Sequence, residues 1–136
     1  MNVRIVAATN RDLWKCVQRG TFRLDLYFRL NVIRIELPPL RDRTGDIDIL
    51  VPYLLERAAR KNRVPMVAIS GEVMELFRRY YWPGNVRELK NVVEKCAVMT
   101  TSDTVTLENL PKDVLRQLSS SGPGAGYDPR PSRAAF

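Results

Sequence analysis

The chain has 136 residues, 45% hydrophobic and 27% charged, which suits one or two small globular units and excludes a disordered or fibrous protein. It has no histidine, and Cys16 and Cys96 are too far apart for a Cys-x-x-Cys pair, so a zinc site and a Cys-His dyad are excluded and both cysteines are expected as buried thiols. No apolar run approaches the roughly 18 residues of a membrane span and no signal peptide opens the chain, so a cytoplasmic protein with no membrane partner is expected.

The opening run from Val3 to Ala8 is short, β-branched and almost continuously apolar, the pattern of a strand covered on both faces. Thr9 and Asn10 end it. Residues 11–19 predict a short helix with Leu13, Cys16 and Val17 inward and Gly20 at its end. Phe22, Leu26 and Leu30 recur every four residues and predict a second helix buried along that stripe. Val32, Ile33, Ile35 and Leu37 read as a second strand, stopped by Pro38 and Pro39, which supply no ladder donors. Two parallel strands joined by helices define an α/β layer.

Beyond the two prolines the period becomes helical. Ile47, Leu50, Val51, Leu54, Leu55 and Ala58 form one stripe, and Pro52 within it predicts a kink or a late helix start. Ser70 is placed to cap a helix facing inward through Val73, Leu76, Phe77 and Tyr80, and Trp82-Pro83-Gly84 ends it. Asn85 with Glu88 three residues later reads as a capping box for a helix buried through Val86, Leu89, Val93 and Cys96. A brief extended piece near Val105 precedes Pro111, which opens a last helix through Leu118. Residues 119–136 have the Ser, Gly and Pro content of a flexible tail. The expected organisation is therefore an α/β part over 1–43, an all-α part over 44–118 and a tail over 119–136.

The net charge of +7 is uneven. Residues 1–43 hold 9 Lys and Arg against 4 Asp and Glu, whereas residues 44–118 hold 11 against 10. The basic excess is strung through several N-terminal elements rather than gathered on one helix, a pattern that suits a focused anion site as well as DNA. No G-x-x-x-x-G-K-[ST] string occurs and no apolar strand ends in adjacent Asp-Glu, so neither the phosphate loop nor the magnesium carboxylate of a P-loop NTPase is among these residues.

Four positions stand out among the polar residues. Asn10, at the carboxyl end of an expected strand, either orients a water or senses a phosphate there, or caps the following helix. Arg87 falls at the second position of the Asn85-capped helix, where the macrodipole disfavours a cation by a few tenths of a kcal/mol; it is either a solvated arginine or one arm of an anion site. Arg23 and Arg29, six apart, stand about 240° apart on an ideal helix, and Arg29 can pair with Asp25 one turn before it.

Four strings in order, RIVAATNRDL (4–13), TFRLDLYFRLNV (21–32), LPPLRDRTGDI (37–47) and YYWPGNVRELKNVVE (80–94), closely resemble the sigma-54 interaction domain of bacterial enhancer-binding activators, a AAA+ ATPase domain. The resemblance covers residues 2 to about 111 and implies the C-terminal part of that domain: the end of the α/β subdomain, then a helical lid. It implies that Asn10 is sensor I, that Arg23 and Arg29 are fingers acting on a neighbouring subunit, that Asp25 belongs to the intersubunit site and that Arg87 is sensor II. It implies ATP with Mg2+ as the cofactor of the complete domain, none held by this chain independently and no hydrolysis by it alone. The implied partners are further copies in a hexameric ring, sigma-54 RNA polymerase through the GAFTGA loop, which is not among these residues, and DNA through a helix-turn-helix, also not among them. A non-enzymatic basic helical module for a protein or nucleic-acid partner is the alternative, and self-association through exposed strand edges a third.

Overall fold

A computed structural model describes residues 2–120 of the chain, which divides into two compact units that part between Leu37 and Pro38. In the first unit α1 spans Leu13–Gln18 and α2 spans Leu24–Leu30. The cap of α1 is Asp12, whose carboxylate accepts the Lys15 N–H at 3.2 Å. Gly20, at φ +72°, turns the chain after it in the left-handed conformation that glycine tolerates best. The two helices meet through Trp14 and Tyr27, with ring centroids 5.4 Å apart. Phe22, just ahead of α2, and Tyr27 and Leu30 on it are half-buried, while Leu26, expected inside, is exposed.

Two parallel strands are present and a helical lid follows, as the expected class has it, but the strands lie elsewhere. Residues 3–8 and 32–37 adopt no regular secondary structure, and Val6 and Ile33 are 87% and 81% exposed. A strand exists only when a second backbone accepts its ladder, and the described residues supply none beside these two segments. The parallel pair is instead β1, Ala68–Ile69, with β2, Thr104–Val105, in register Ala68 to Thr104 and Ile69 to Val105.

The second unit holds the core. Two 3-10 turns, Leu40–Asp42 and Thr44–Asp46, lead into α3, Ile47–Asn62. Pro52 lies inside α3, and the helix neither starts late nor stops there; proline costs it the N–H that would reach the Asp48 carbonyl. Arg63, at φ +54°, ends α3 with a left-handed cap. α4 spans Gly71–Arg79 under a Ser70 cap, α5 spans Asn85–Met99 and α6 spans Lys112–Ser120, two residues past its expected end. The rest of the expected tail lies outside the described residues.

α3 and α5 form the main packing pair, and the buried set includes Leu40, Ile47, Val51, Phe77, Trp82 and Leu89. All the residues buried among those described lie from Leu40 onward. Cys96 is buried within this core as expected, but Cys16 is only half-buried, because the small first unit has no interior to enclose it.

Candidate functional site

In the first unit, Asn10 sits exposed at a bend just before α1 and caps nothing, since Asp12 takes that place. Two short polar side chains near each other offer acceptors to the helix start; Asp12 stands three residues before the Lys15 N–H it binds, the spacing at which a capping side chain reaches. Arg23 is itself the N-cap position of α2, with extended backbone (φ −72°, ψ 135°), so the 240° separation from Arg29 on a helix does not apply.

Asp25 pairs with Arg23 rather than with Arg29. The Arg23 Nε and Nη2 atoms donate to the two Asp25 oxygens at 3.1 and 2.7 Å, a two-pronged contact, and Asp25 Oδ1 also accepts the Leu26 N–H at 2.9 Å. Arg23 and Asp25 are both exposed, which limits the pair to about 0.2–1 kcal/mol, but the fork fixes the plane of the guanidinium. Arg29 is exposed and makes no ion pair or side-chain hydrogen bond with the described residues. The structure thus joins Arg23 to Asp25 and leaves Arg29 uncommitted.

In the second unit, Arg87 stands in a turn built with unusual backbone. Trp82 and Asn85 both adopt positive φ, +49° and +50°, a conformation that costs a bulky residue such as tryptophan of order 1 kcal/mol or more. Packing holds it there. Trp82 is wholly buried, donates its Nε1–H to the Phe77 carbonyl at 2.7 Å and stacks edge-on against Phe77 and Tyr80. Asn85 does not cap α5 as its spacing from Glu88 predicts; Gly84 occupies the cap position instead, and the Asn85 Oδ1 accepts the Leu40 N–H. Arg41 adds a cation–π contact over the Tyr81 ring at 4.4 Å, so the lid's entry is fastened to this turn twice.

The reach-back half of a capping box survives, one residue out of step. Glu88 Oε2 accepts the Gly84 N–H at 2.7 Å, and Oε1 accepts from the Tyr80 hydroxyl at 2.8 Å and from the Gln117 side-chain amide at 2.6 Å. In sequence Glu88 is legible only as a cap; nothing in the spacing announces Gln117, 29 positions on. Arg87 is the third residue of α5, exposed, with no ion pair or side-chain hydrogen bond among the described residues. Its guanidinium therefore stands at the positive end of a helix dipole, where the acid of the first turn, Glu88, is engaged with other donors; a bound anion would offset the cost of that placement.

Several other charges on the lid are paired. Arg78 bridges Asp48 and Glu75, and these hydrogen bonds hold its pKa above the ordinary arginine value. Lys61 and Asn62 donate to Glu94 and hold its carboxyl below the usual range; Lys95 does the same to Asp113. Arg87 and Arg29, each in its own unit, have no such pairing among the described residues. No group of three or more His, Cys, Asp or Glu able to hold a metal ion occurs among the described residues.

Comparison with known proteins adds a context for this geometry. Residues 41–126 match the AAA+ ATPase lid domain, and residues 1–36 match the sigma-54 interaction domain. The chain is 43% identical over 122 residues to regulatory protein AtoC of Escherichia coli, covering 90% of this chain and 26% of that protein. It is 51% identical over 106 residues to the Nif-specific regulatory protein of Herbaspirillum seropedicae, 78% of this chain and 20% of that one. With the DNA-binding transcriptional regulator NtrC of Proteus hauseri it shares 46% over 114 residues, 84% and 24%. The crystal structure of NtrX from Brucella abortus in complex with ADP superimposes with a TM-score of 0.73 at 32% identity, over 83% of this chain and 26% of that one; the ATP complex gives 0.70. The chain thus spans about a quarter of the length of the proteins it matches.

Proposed function

This chain belongs to the AAA+ ATPase lid family, with the end of a sigma-54 interaction domain ahead of the lid, and from that premise we propose that it supplies the sensing and intersubunit arginines of a transcription-activating ATPase. The observation that carries the reading is Arg87: an exposed guanidinium in the first turn of α5, without an acidic partner among the described residues, on a turn held by buried Trp82 and by Asn85. In this reading Arg87 meets the phosphates of a nucleotide held by its own subunit, and its attachment to α5 couples their loss to movement of the lid. Asn10, at the end of the α/β part, is assigned the other sensor role.

Arg23 and Arg29 are assigned to the neighbouring subunit's nucleotide. Asp25 sets the plane of Arg23 through its fork, and Arg29 has no competing acid to release among the described residues. Guanidinium groups so placed neutralise charge on a transferring phosphoryl group, a contribution of roughly three to five powers of ten in rate where an arginine acts as a finger. Bound ATP with Mg2+ supplies the phosphoryl group itself. The complete protein would form a hexameric ring and act on sigma-54 RNA polymerase.

The test is a chimaera in which these residues follow the P-loop-bearing part of a relative such as NtrX. Arg23→Ala, Arg29→Ala and Arg87→Ala are each expected to cut ATP hydrolysis at least a hundredfold, on the scale of finger residues. Hydrolysis at the parent rate in all three variants, with assembly intact, would refute the assignment.

A further inference from the structure

We propose that Glu88 is a positioning residue that ties the first turn of α5, and with it Arg87, to the last helix of the lid through Gln117. The inference rests on Arg87 acting as the nucleotide-facing arginine. Three donors from three places converge on the one carboxylate: the Tyr80 hydroxyl from the end of α4, the Gly84 N–H from the turn, and the Gln117 amide from α6. An ionised carboxylate only accepts, so each of the three bonds has a fixed direction and none can be exchanged for another.

The body of α5 is held by its apolar side, through Leu89, Val92, Val93 and Cys96. Its first turn has only the partly buried Val86 on that side and is held in addition by polar bonds: Asn85 to Leu40, and the Glu88 node. On α6, Val114 and Leu118 are buried on either side of Gln117, so the seat of that helix in the core dictates where the Gln117 amide stands. A shift of α6 therefore removes a donor from Glu88 and loosens the turn beside Arg87. Glu88 thus gives whatever acts on α6 a route to the nucleotide-facing arginine, and the same route in reverse reports nucleotide state to α6.

The experiment is amide hydrogen exchange by NMR on the full chain. Gln117→Glu keeps the side chain's shape, deletes the amide donor and sets a second carboxylate against Glu88; it is expected to speed exchange at the Gly84 and Glu88 amides by at least the roughly 2- to 12-fold that one net hydrogen bond is worth, and to leave Leu55 and Ala58 in α3 unchanged. Gln117→Lys, which restores an N–H donor of similar reach, returns both amides toward the wild-type rates. Tyr80→Phe, which removes only a hydroxyl, acts in the same direction as Gln117→Glu and serves where that variant is poorly folded. Unchanged rates at Gly84 and Glu88, or acceleration spread equally over α3, overturns the proposal. In the chimaera, Gln117→Glu is expected to alter the same kinetic constant for ATP, kcat or KM, as Arg87→Ala, with Gln117→Lys restoring it. Local loosening in the chain together with an Arg87→Ala chimaera of undiminished activity would keep the tie and remove the nucleotide-sensing reading beneath it.

Discussion

The Asn85 side-chain oxygen lies 2.9 Å from the backbone nitrogen of Leu40, 45 positions earlier, and is the acceptor for that buried residue's N–H. A potential helix cap has been spent on a tertiary contact, and the left-handed backbone of Asn85, which asparagine tolerates better than most residues, makes the reach possible. Asn85→Ala leaves the Leu40 N–H unsatisfied and places alanine at φ +50°. Urea unfolding is expected to show a loss of about 1–3 kcal/mol, and Asn85→Asp, which keeps the acceptor, a smaller loss. Equal losses for the two would remove the hydrogen bond from the account.

Gly84 has an ordinary φ of −87°, so its backbone admits any residue. Space does not. A Cβ there would stand 2.6 Å from the Glu88 Cβ, an atom fixed to the helix backbone. Gly84→Ala is therefore expected to destabilise the lid by about 1–3 kcal/mol and to detach Glu88 from its donors. A wild-type denaturation midpoint would show that the first turn of α5 yields freely.

Acid should weaken the lid through Glu94 first. Lys61 donates to its carboxylate at 2.7 Å and Asn62 at 3.1 Å, and the folded-state pKa is lowered, the Lys61 bond being the larger cause. A carboxyl that binds its proton less readily when folded contributes stability fully above its ordinary value near 4.5 and loses it as pH falls through the lowered folded value. Asp113, lowered by Lys95, adds the same sign. Melting curves from about pH 7 to about pH 3 should show Glu94→Gln less sensitive than the parent below the ordinary value of 4.5; parallel curves would contradict this.

The two cysteines should differ in reactivity. Burial pushes the Cys96 thiol up to about 12, so near neutral pH it is protonated as well as enclosed, whereas Cys16 is half-buried. Thiol alkylation of the folded chain is expected to modify Cys16 alone, with Cys96 reacting only after denaturation. Because its folded pKa exceeds the ordinary 9.0, Cys96 also costs stability as pH rises above that value. Equal labelling of both cysteines in the native chain would mean the core opens readily.

The four lid helices are legible in the sequence because each carries an apolar stripe at helical spacing, and the Ser70 cap because a serine directly precedes the helix and its hydroxyl accepts the Val73 N–H three residues on. Of the strands only β2 is, as the extended piece near Val105; the pairing is not. Val3 to Ala8 and Val32 to Leu37 declare a preference for a ladder, but the partner must come from another segment, and a sequence does not say which segments its own backbone can reach. β1 and β2 are two residues each and 36 positions apart in register, too short for any periodicity. The site divides likewise. Motif order is what proposes an anion-directed role for Arg23, Arg29 and Arg87, whereas the Arg23–Asp25 fork, the shifted cap at Gly84 and the Gln117 contact depend on backbone angles that composition leaves open.

The distribution of buried residues sets a seam at the two prolines. Every enclosed side chain among the described residues belongs to the part after Leu37, and that part brings its own tryptophan anchor, its own strand pair and its own polar fastenings. A protein engineer could lift it out at Pro38 as a portable cassette and expect cooperative melting. The piece before the seam has no such independence: its aliphatic residues are half-buried at most and many are exposed, so its shape is a borrowed one, good only while something else lends it an interior.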